Sequence, residues 1–202
     1  LTPQVNSYVA DKYFISGQDG IKEGFRLGAF LQFQKNHGYW YSEASVISSK
    51  ISLWFENLKP QEEPPDAYWT YTGSTYNNTM FSVFLARGIK AAGRFPLDGG
   101  LVFSHVQDDE KEDYPDAYFQ SDPMLNSQKI LYDFADDLRD FRMSARVRIG
   151  WEFGPLILRG TYERSLYSCS RQVEYNGTEY PVNLTTHVWS FSFSYTVYTR
   201  MK

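Results

Sequence analysis

From residue 142 to residue 153 apolar and polar side chains alternate without a break. Met143, Ala145, Val147, Ile149, Trp151 and Phe153 share one parity, and Arg142, Ser144, Arg146, Arg148, Gly150 and Glu152 share the other. A period of two marks a β-strand with one apolar and one polar face. Gly154-Pro155 interrupts the pattern, and a second arm follows in which Leu156, Leu158, Gly160 and Tyr162 oppose Ile157, Arg159, Thr161, Glu163 and Ser165. Two long arms joined by two residues predict a tight hairpin. The pattern recurs near the C-terminal end, where Trp189, Phe191, Phe193, Tyr195 and Val197 alternate with small hydroxyl residues. It recurs again over 24–34, with Phe25, Leu27, Ala29, Leu31 and Phe33 against Arg26, Gly28, Phe30, Gln32 and Gln34.

Residues 7–16, 39–56, 80–92 and 97–106 complete a set of eight predicted strands, with a parity change near 48–49 that a β-bulge would explain. The connections alternate in length. Those at 35–38, 93–96 and 154–155 are short, and those at 57–79, 107–140 and 169–186 are long, with a short helix predicted over 127–141. The connection at 17–23 is short and falls on the long-loop side. Consecutive antiparallel strands put successive connections at opposite ends, so short turns gather on one rim and long loops on the other. That predicts a single all-β domain over 1–202, an eight-stranded antiparallel up-and-down transmembrane barrel with short periplasmic turns and long extracellular loops.

Which face meets water decides between two barrels. A soluble, lipocalin-like barrel buries its apolar face around a small apolar ligand, whereas a transmembrane barrel turns that face to lipid. The polar parities carry Ser, Gly, Thr and Gln with isolated charges instead of the dense Lys and Glu of a solvated surface. Small residues and a few pairable charges fit an eight-stranded lumen, where Arg26, Glu43, Arg146, Arg148, Glu152, Arg159 and Glu163 must pair or bear a heavy desolvation cost. So narrow an interior reads as plugged by ion pairs, not as a pore.

Composition sharpens this reading. The 202 residues include 16 Tyr, 15 Phe and 5 Trp, an aromatic load that favours strands and suits a membrane interface. No apolar run approaches the ~18–20 residues of a membrane helix. A start at Leu1 instead of Met reads as a processed or trimmed product. The single cysteine, Cys169, excludes an internal disulfide and a cysteine-based zinc cluster. Net charge is −4, but residues 107–140 hold eleven acids against three bases, a local net of −8 that leaves +4 elsewhere. No basic patch points to nucleic acid.

The chemistry-bearing residues are few. His37, His105 and His187 are scattered, and neighbours on a strand point to opposite faces, so Ser104-His105 makes no Ser–His couple. The acids at 108–113 and at Asp133, Asp136, Asp137 and Asp140 lack the spacing of a calcium loop. The sequons at Asn77, Asn176 and Asn183 read as loop composition. No catalytic residue, cofactor or metal is expected. The pentapeptide Pro65-Asp-Ala-Tyr-Trp69 returns as Pro115-Asp-Ala-Tyr-Phe119, and both copies fall in long loops on one rim. Asp66, Tyr68, Trp69, Asp116, Tyr118 and Phe119 are therefore candidate partner-binding residues, or else they brace the rim.

The order of these pieces resembles the PorT-like outer-membrane β-barrel family of Bacteroidota. The resemblance is carried by Gly24-Phe-Arg-Leu-Gly-Ala-Phe30, by Ser42-Glu-Ala-Ser-Val-Ile-Ser-Ser-Lys50, and by Arg148-Ile-Gly-Trp-Glu-Phe-Gly154 with Leu158-Arg-Gly-Thr-Tyr-Glu-Arg-Ser-Leu166, followed by the aromatic/Ser strand. The chain departs from the family's terminal aromatic, since Thr199-Arg-Met-Lys202 follows Tyr198. The resemblance implies a bacterial outer-membrane location in contact with lipid, and protein partners in a multi-subunit complex. The implied process is type IX secretion or outer-membrane protein biogenesis, served without enzymatic activity. A lipid-modifying outer-membrane enzyme is the alternative from the catalytic class.

Overall fold

Strands with two unlike faces must put one face against something other than water, and here a curled sheet does so. The computed structural model describes residues 2–4, 6–9, 13–17, 24–35, 38–58, 71–107, 140–170, 172–175 and 178–197. In chain order the strands are β1 (Thr2–Gln4), β2 (Asn6–Val9), β3 (Tyr13–Gly17), β4 (Gly24–Lys35), β5 (Gly38–Asn57) and β6 (Tyr71–Ala91), then β7 (Phe95–Gln107), β8 (Phe141–Phe153), β9 (Leu156–Ser165), β10 (Gln172–Tyr175), β11 (Thr178–Pro181) and β12 (Thr185–Tyr195). No helix occurs among the described residues.

Seven long strands, β4 to β9 and then β12, and not the eight expected from the sequence, form one curled antiparallel sheet in which each pairs with the next. The sheet curls far enough for side chains of strands that are not neighbours to meet across it, as Arg26 of β4 meets Glu163 of β9. Its concave side collects the polar parity and its convex side the apolar one. In β8, Arg142, Ser144, Arg146, Arg148 and Gly150 are buried, while Val147, Ile149, Trp151 and Phe153 are exposed. The N-terminal run adds to both ends of this sheet, β1 along β12 and β2 along β3. β3 lies along β5 beyond β4, on the same edge.

The β8–β9 turn is the predicted two-residue one. Gly154 has φ +63°, the sign required at the first central position of the turn that matches strand twist. At the β6–β7 turn Ala92 (φ 46°) and Gly93 (φ 70°) both adopt left-handed angles, and the Arg94 amide donates to the Ala91 carbonyl.

Four sequence expectations are corrected. The long loop placed at 57–79 is strand at both its ends, because Asn57 ends β5 and β6 starts at Tyr71 and pairs with β5 as far as Glu56, while 59–70 lie outside the described residues. Tyr71, Thr72, Ser74, Thr75 and Tyr76 suit extended backbone without alternating in polarity, so periodicity does not reveal them. The loop placed at 169–186 contains the β10–β11 pairing, and Thr185 and Thr186 open β12. The first strand placed at 7–16 is two strands, β2 and β3, folded against each other. No bulge interrupts β5 at 48–49, since its register with β6 is unbroken. Along its other edge β5 pairs with two separate strands, Leu53 facing Gly17 of β3 and Ser49 facing Gly24 of β4. Most of the acidic segment placed at 107–140, with its predicted helix, lies outside the described residues, and Gln107 itself ends β7.

Candidate functional site

The register of the sheet turns separate inward charges into one string. Arg146 and Glu163 are direct cross-strand partners on β8 and β9, and the Arg146 Nε donates to Glu163 Oε2 at 2.8 Å. Arg26 reaches the same oxygen from β4 at 3.3 Å. On its other side Arg146 lies 3.5 Å from Glu43 Oε1 of β5, and Arg148 donates to Glu43 Oε2 at 2.9 Å. Arg148 then grips Asp98 of β7 with two bonds, Nε to Oδ1 at 2.7 Å and Nη2 to Oδ2 at 3.1 Å. The Tyr39 hydroxyl donates to Asp98 Oδ2 at 2.8 Å and ends the string. Cations and anions alternate along it, three of each, so its formal charge is zero. A fork-shaped guanidinium with paired bonds to a carboxylate is the strongest geometry available to such a pair.

Aromatic rings floor the string. Tyr39, Tyr41, Phe84, Ala86 and Val102 form a buried cluster with Phe30 packed on it. The Arg148 guanidinium lies 3.9 Å from the Tyr41 ring centroid and 4.5 Å from that of Phe84, and Arg146 also sits 4.5 Å from Phe84. Ring faces attract cations most strongly where water is excluded. Glu152 stands apart, paired with Lys90 at 2.9 Å toward the short-turn end. Arg159 also stands apart. It is 1 % exposed, donates from Nη1 to Ser194 Oγ at 2.9 Å, and faces the rings of Phe30 and Tyr41, with no carboxylate partner among the described residues.

All seven inward charges named from the sequence lie on the concave side: Arg26, Glu43, Arg146, Arg148 and Glu163 in the string, Glu152 with Lys90, and Arg159 with Ser194. Sequence reasoning did not single out Asp98, Lys90, Tyr39 or Tyr41. Asp98 has a visible signal, an acid inside an otherwise apolar and glycine-rich strand. Ser104 is buried and His105 is exposed on the opposite face, while His187 Nδ1 is bonded to the Tyr162 hydroxyl at 2.8 Å. Among the described residues no group of His, Cys, Asp and Glu is placed to hold a metal ion. Asp66, Tyr68, Trp69, Asp116, Tyr118 and Phe119 lie outside the described residues.

Two substitutions test the interior. Glu163→Gln keeps the shape and one acceptor but removes the charge that Arg26 and Arg146 share, so it should destabilise by about 1–3 kcal/mol, the range for a poorly matched buried charged partner. A urea midpoint within error of the parent would show that the two arginines are paired elsewhere. Gly88 leaves no room for a side chain, since an added Cβ would lie 2.6 Å from the Tyr39 hydroxyl oxygen and 2.7 Å from Asp98 Cβ. Gly88→Val should therefore push Tyr39 off Asp98 and cost about 1–3 kcal/mol, as overpacking does; an unchanged unfolding midpoint would contradict that packing.

Compared with known proteins, the chain matches no family model, no curated protein and no solved structure.

Proposed function

We propose that this chain is a bacterial outer-membrane β-barrel, without catalytic activity, that serves as a structural or accessory subunit of an outer-membrane protein complex. The observation that carries the reading is the orientation of the faces. Trp189, Phe191 and Phe193 are 75–84 % exposed, and Phe25, Leu27, Leu31, Trp40, Leu85 and Ile149 are exposed too, while four arginines, Arg142, Arg146, Arg148 and Arg159, are buried on the other side. A monomer in water rarely exposes a contiguous apolar patch beyond a few hundred Å². Lipid is the solvent that suits such a wall.

The aromatic side chains support the same placement. One group lies toward the short-turn rim, where Trp151 is 5.7 Å from Phe95 and 4.5 Å from Phe153 between ring centroids. A second lies toward the other rim, where Tyr162 is 4.6 Å from Trp189, and Phe103 is 6.4 Å from Phe141. The ten steps of β8 from Phe141 to Trp151 cover about 33 Å of strand. Tilted by ~40°, that becomes about 25 Å, the height of the apolar band between aromatic girdles.

An interior crossed by the ion-pair string over a floor of rings favours a wall or docking element over a channel. β5 and β6, with 20 and 21 residues, exceed the ~9–11 residues needed to cross the bilayer and run on at the long-loop rim. That projection is the natural place for a protein partner. Type IX secretion or outer-membrane biogenesis is the process proposed from the resemblance to the PorT-like family.

The test is recovery of the tagged protein from native membranes in mild detergent, with mass spectrometry of what accompanies it. Stoichiometric outer-membrane partners are expected. Recovery from the soluble fraction would overturn the membrane placement, and a lone membrane protein would overturn the accessory role.

A further inference from the structure

Arg87 of β6 puts a cation on the apolar wall. It is exposed, with the exposed Leu85 and Ile89 on either side of it along the same face. Its guanidinium lies 5.8 Å from the centroid of the Trp40 ring on β5, and no carboxylate among the described residues pairs with it. The register sets Trp40, Arg87, Gly99 and Val147 in one row across β5 to β8. Gly99 has no side chain, so Arg87 and Val147 stand two strand spacings apart, about 10 Å, with bare backbone between them. The result is an open groove of about 610 Å³ along Arg87, Ile89, Leu97, Gly99 and Val147. The sheet does not need this glycine for its own packing. A Cβ added at Gly99 would come no closer than 3.7 Å to any neighbour, the nearest being the Arg146 carbonyl oxygen. A glycine inside a strand weakens it and often marks a close approach by a ligand.

We propose that this groove binds a phospholipid of the leaflet on the short-turn side, with Arg87 holding its phosphate group. The proposal rests on the membrane placement above. Gly99 is four residues from Phe95, ~13 Å of strand, which a tilt of ~40° turns into about 10 Å of depth. Arg87, paired with Gly99, therefore leaves the wall inside the apolar band. A charge there is costly, and it is tolerated by reaching toward the interface or by pairing with an anion.

A lipid phosphate meets both needs, since it lies at the interface and carries the opposite charge. The planar guanidinium fork matches two of its oxygens, and the Trp40 ring beside it holds the cation in place. The rest of the groove suits the rest of the molecule. Its aliphatic sides, Ile89, Leu97 and Val147, fit a chain of methylenes, and the cross-strand pair of Leu85 and Leu101 continues that surface toward the middle of the wall. A peptide lying there would leave backbone N–H and C=O groups facing hydrocarbon without partners.

The test is native mass spectrometry of the whole protein released from detergent micelles containing phosphatidylglycerol, run beside flotation with vesicles of the same lipid. The parent should retain one phosphatidylglycerol. Arg87→Gln should weaken retention at least ~10-fold, the loss of a charge-assisted hydrogen bond. Gly99→Leu keeps the cation and fills the groove, so it should weaken retention as well, and it tests the site even if Arg87→Gln fails to fold. Arg164→Gln, which removes an exposed cation of β9 toward the other rim, should leave retention unchanged. No retained lipid on the parent, equal retention by Arg87→Gln and Gly99→Leu, or an equal loss in Arg164→Gln would overturn the proposal. So would a lipid-free dimer that Arg87→Gln dissociates, which means that a second copy fills the groove. Protein that floats with the vesicles but shows no lipid dependent on Arg87 would defeat this proposal alone; protein that stays in the soluble fraction would defeat the membrane placement.

Discussion

Replacing Asp98 by alanine is expected to destabilise the folded protein by about 3–5 kcal/mol, the cost of removing one partner of a buried ion pair. Asp98 is 3 % exposed and satisfies two groups of Arg148 and the Tyr39 hydroxyl together. Without it Arg148 keeps Glu43, but its Nε and Nη2 lose their carboxylate acceptor and the Tyr39 hydroxyl loses its own. Urea unfolding in lipid vesicles should show a lower midpoint with an unchanged slope, because the surface exposed on unfolding is the same. The mechanism has a second signature. Asp98→Ala combined with Arg148→Met removes the stranded charge and should regain part of the loss, since a buried pair replaced by apolar groups is often neutral. A double variant as unstable as the sum of the two single changes would show that unpaired charge is not the cause. Glu179→Ala, at an exposed position in β11, should stay within about 0.5 kcal/mol of the parent.

Leu101→Arg probes the outer face. Leu101 is exposed at the middle of β7, flanked across the strands by Leu85 and Ala145 on the same parity. If that wall meets the centre of a bilayer, arginine there should cost about 2–4 kcal/mol in lipid vesicles. If it met water, the same change would alter stability by no more than about 0.5 kcal/mol, as ordinary surface substitutions do, and would raise solubility. The two readings differ in size and in practical consequence. An unaltered midpoint in lipid would remove the case for a transmembrane wall.

The parts of the fold legible in the sequence are those in which a single physical demand acts on every residue. Strands facing two different media must alternate, so the arms 142–153 and 156–165, the run 24–34 and the run after His187 could be read directly. Gly154-Pro155 could be read too, because few residue pairs suit so short a turn. Inward parity followed from the same alternation. What alternation does not carry is register. That Arg148 meets both Glu43 and Asp98, from strands remote in sequence, depends on how the sheet curls. The hairpin arm at 71–79 was hidden for a related reason: its Tyr, Thr and Ser suit strand backbone on either face, so no periodic signal forms. Arg159 shows the opposite limit, since its inward parity was plain and its lack of an acid was not.

The string from Arg26 to Asp98 also bears on the order of assembly. Arg26 and Glu163 stand 137 positions apart in sequence, and Arg148 and Glu43 stand 105 apart. Neither pair can close until most of the polypeptide has been made and the late strands have arrived, while Arg26 and Glu43 emerge early as charges without counterparts. Topologies dominated by such distant contacts fold slowly, because the entropy of closing large loops is lost before any contact compensates for it. A nascent chain of this kind spends its early life as an aggregation-prone intermediate with apolar edges open. Late completion of the string is therefore a consequence of where six charges fall along the sequence.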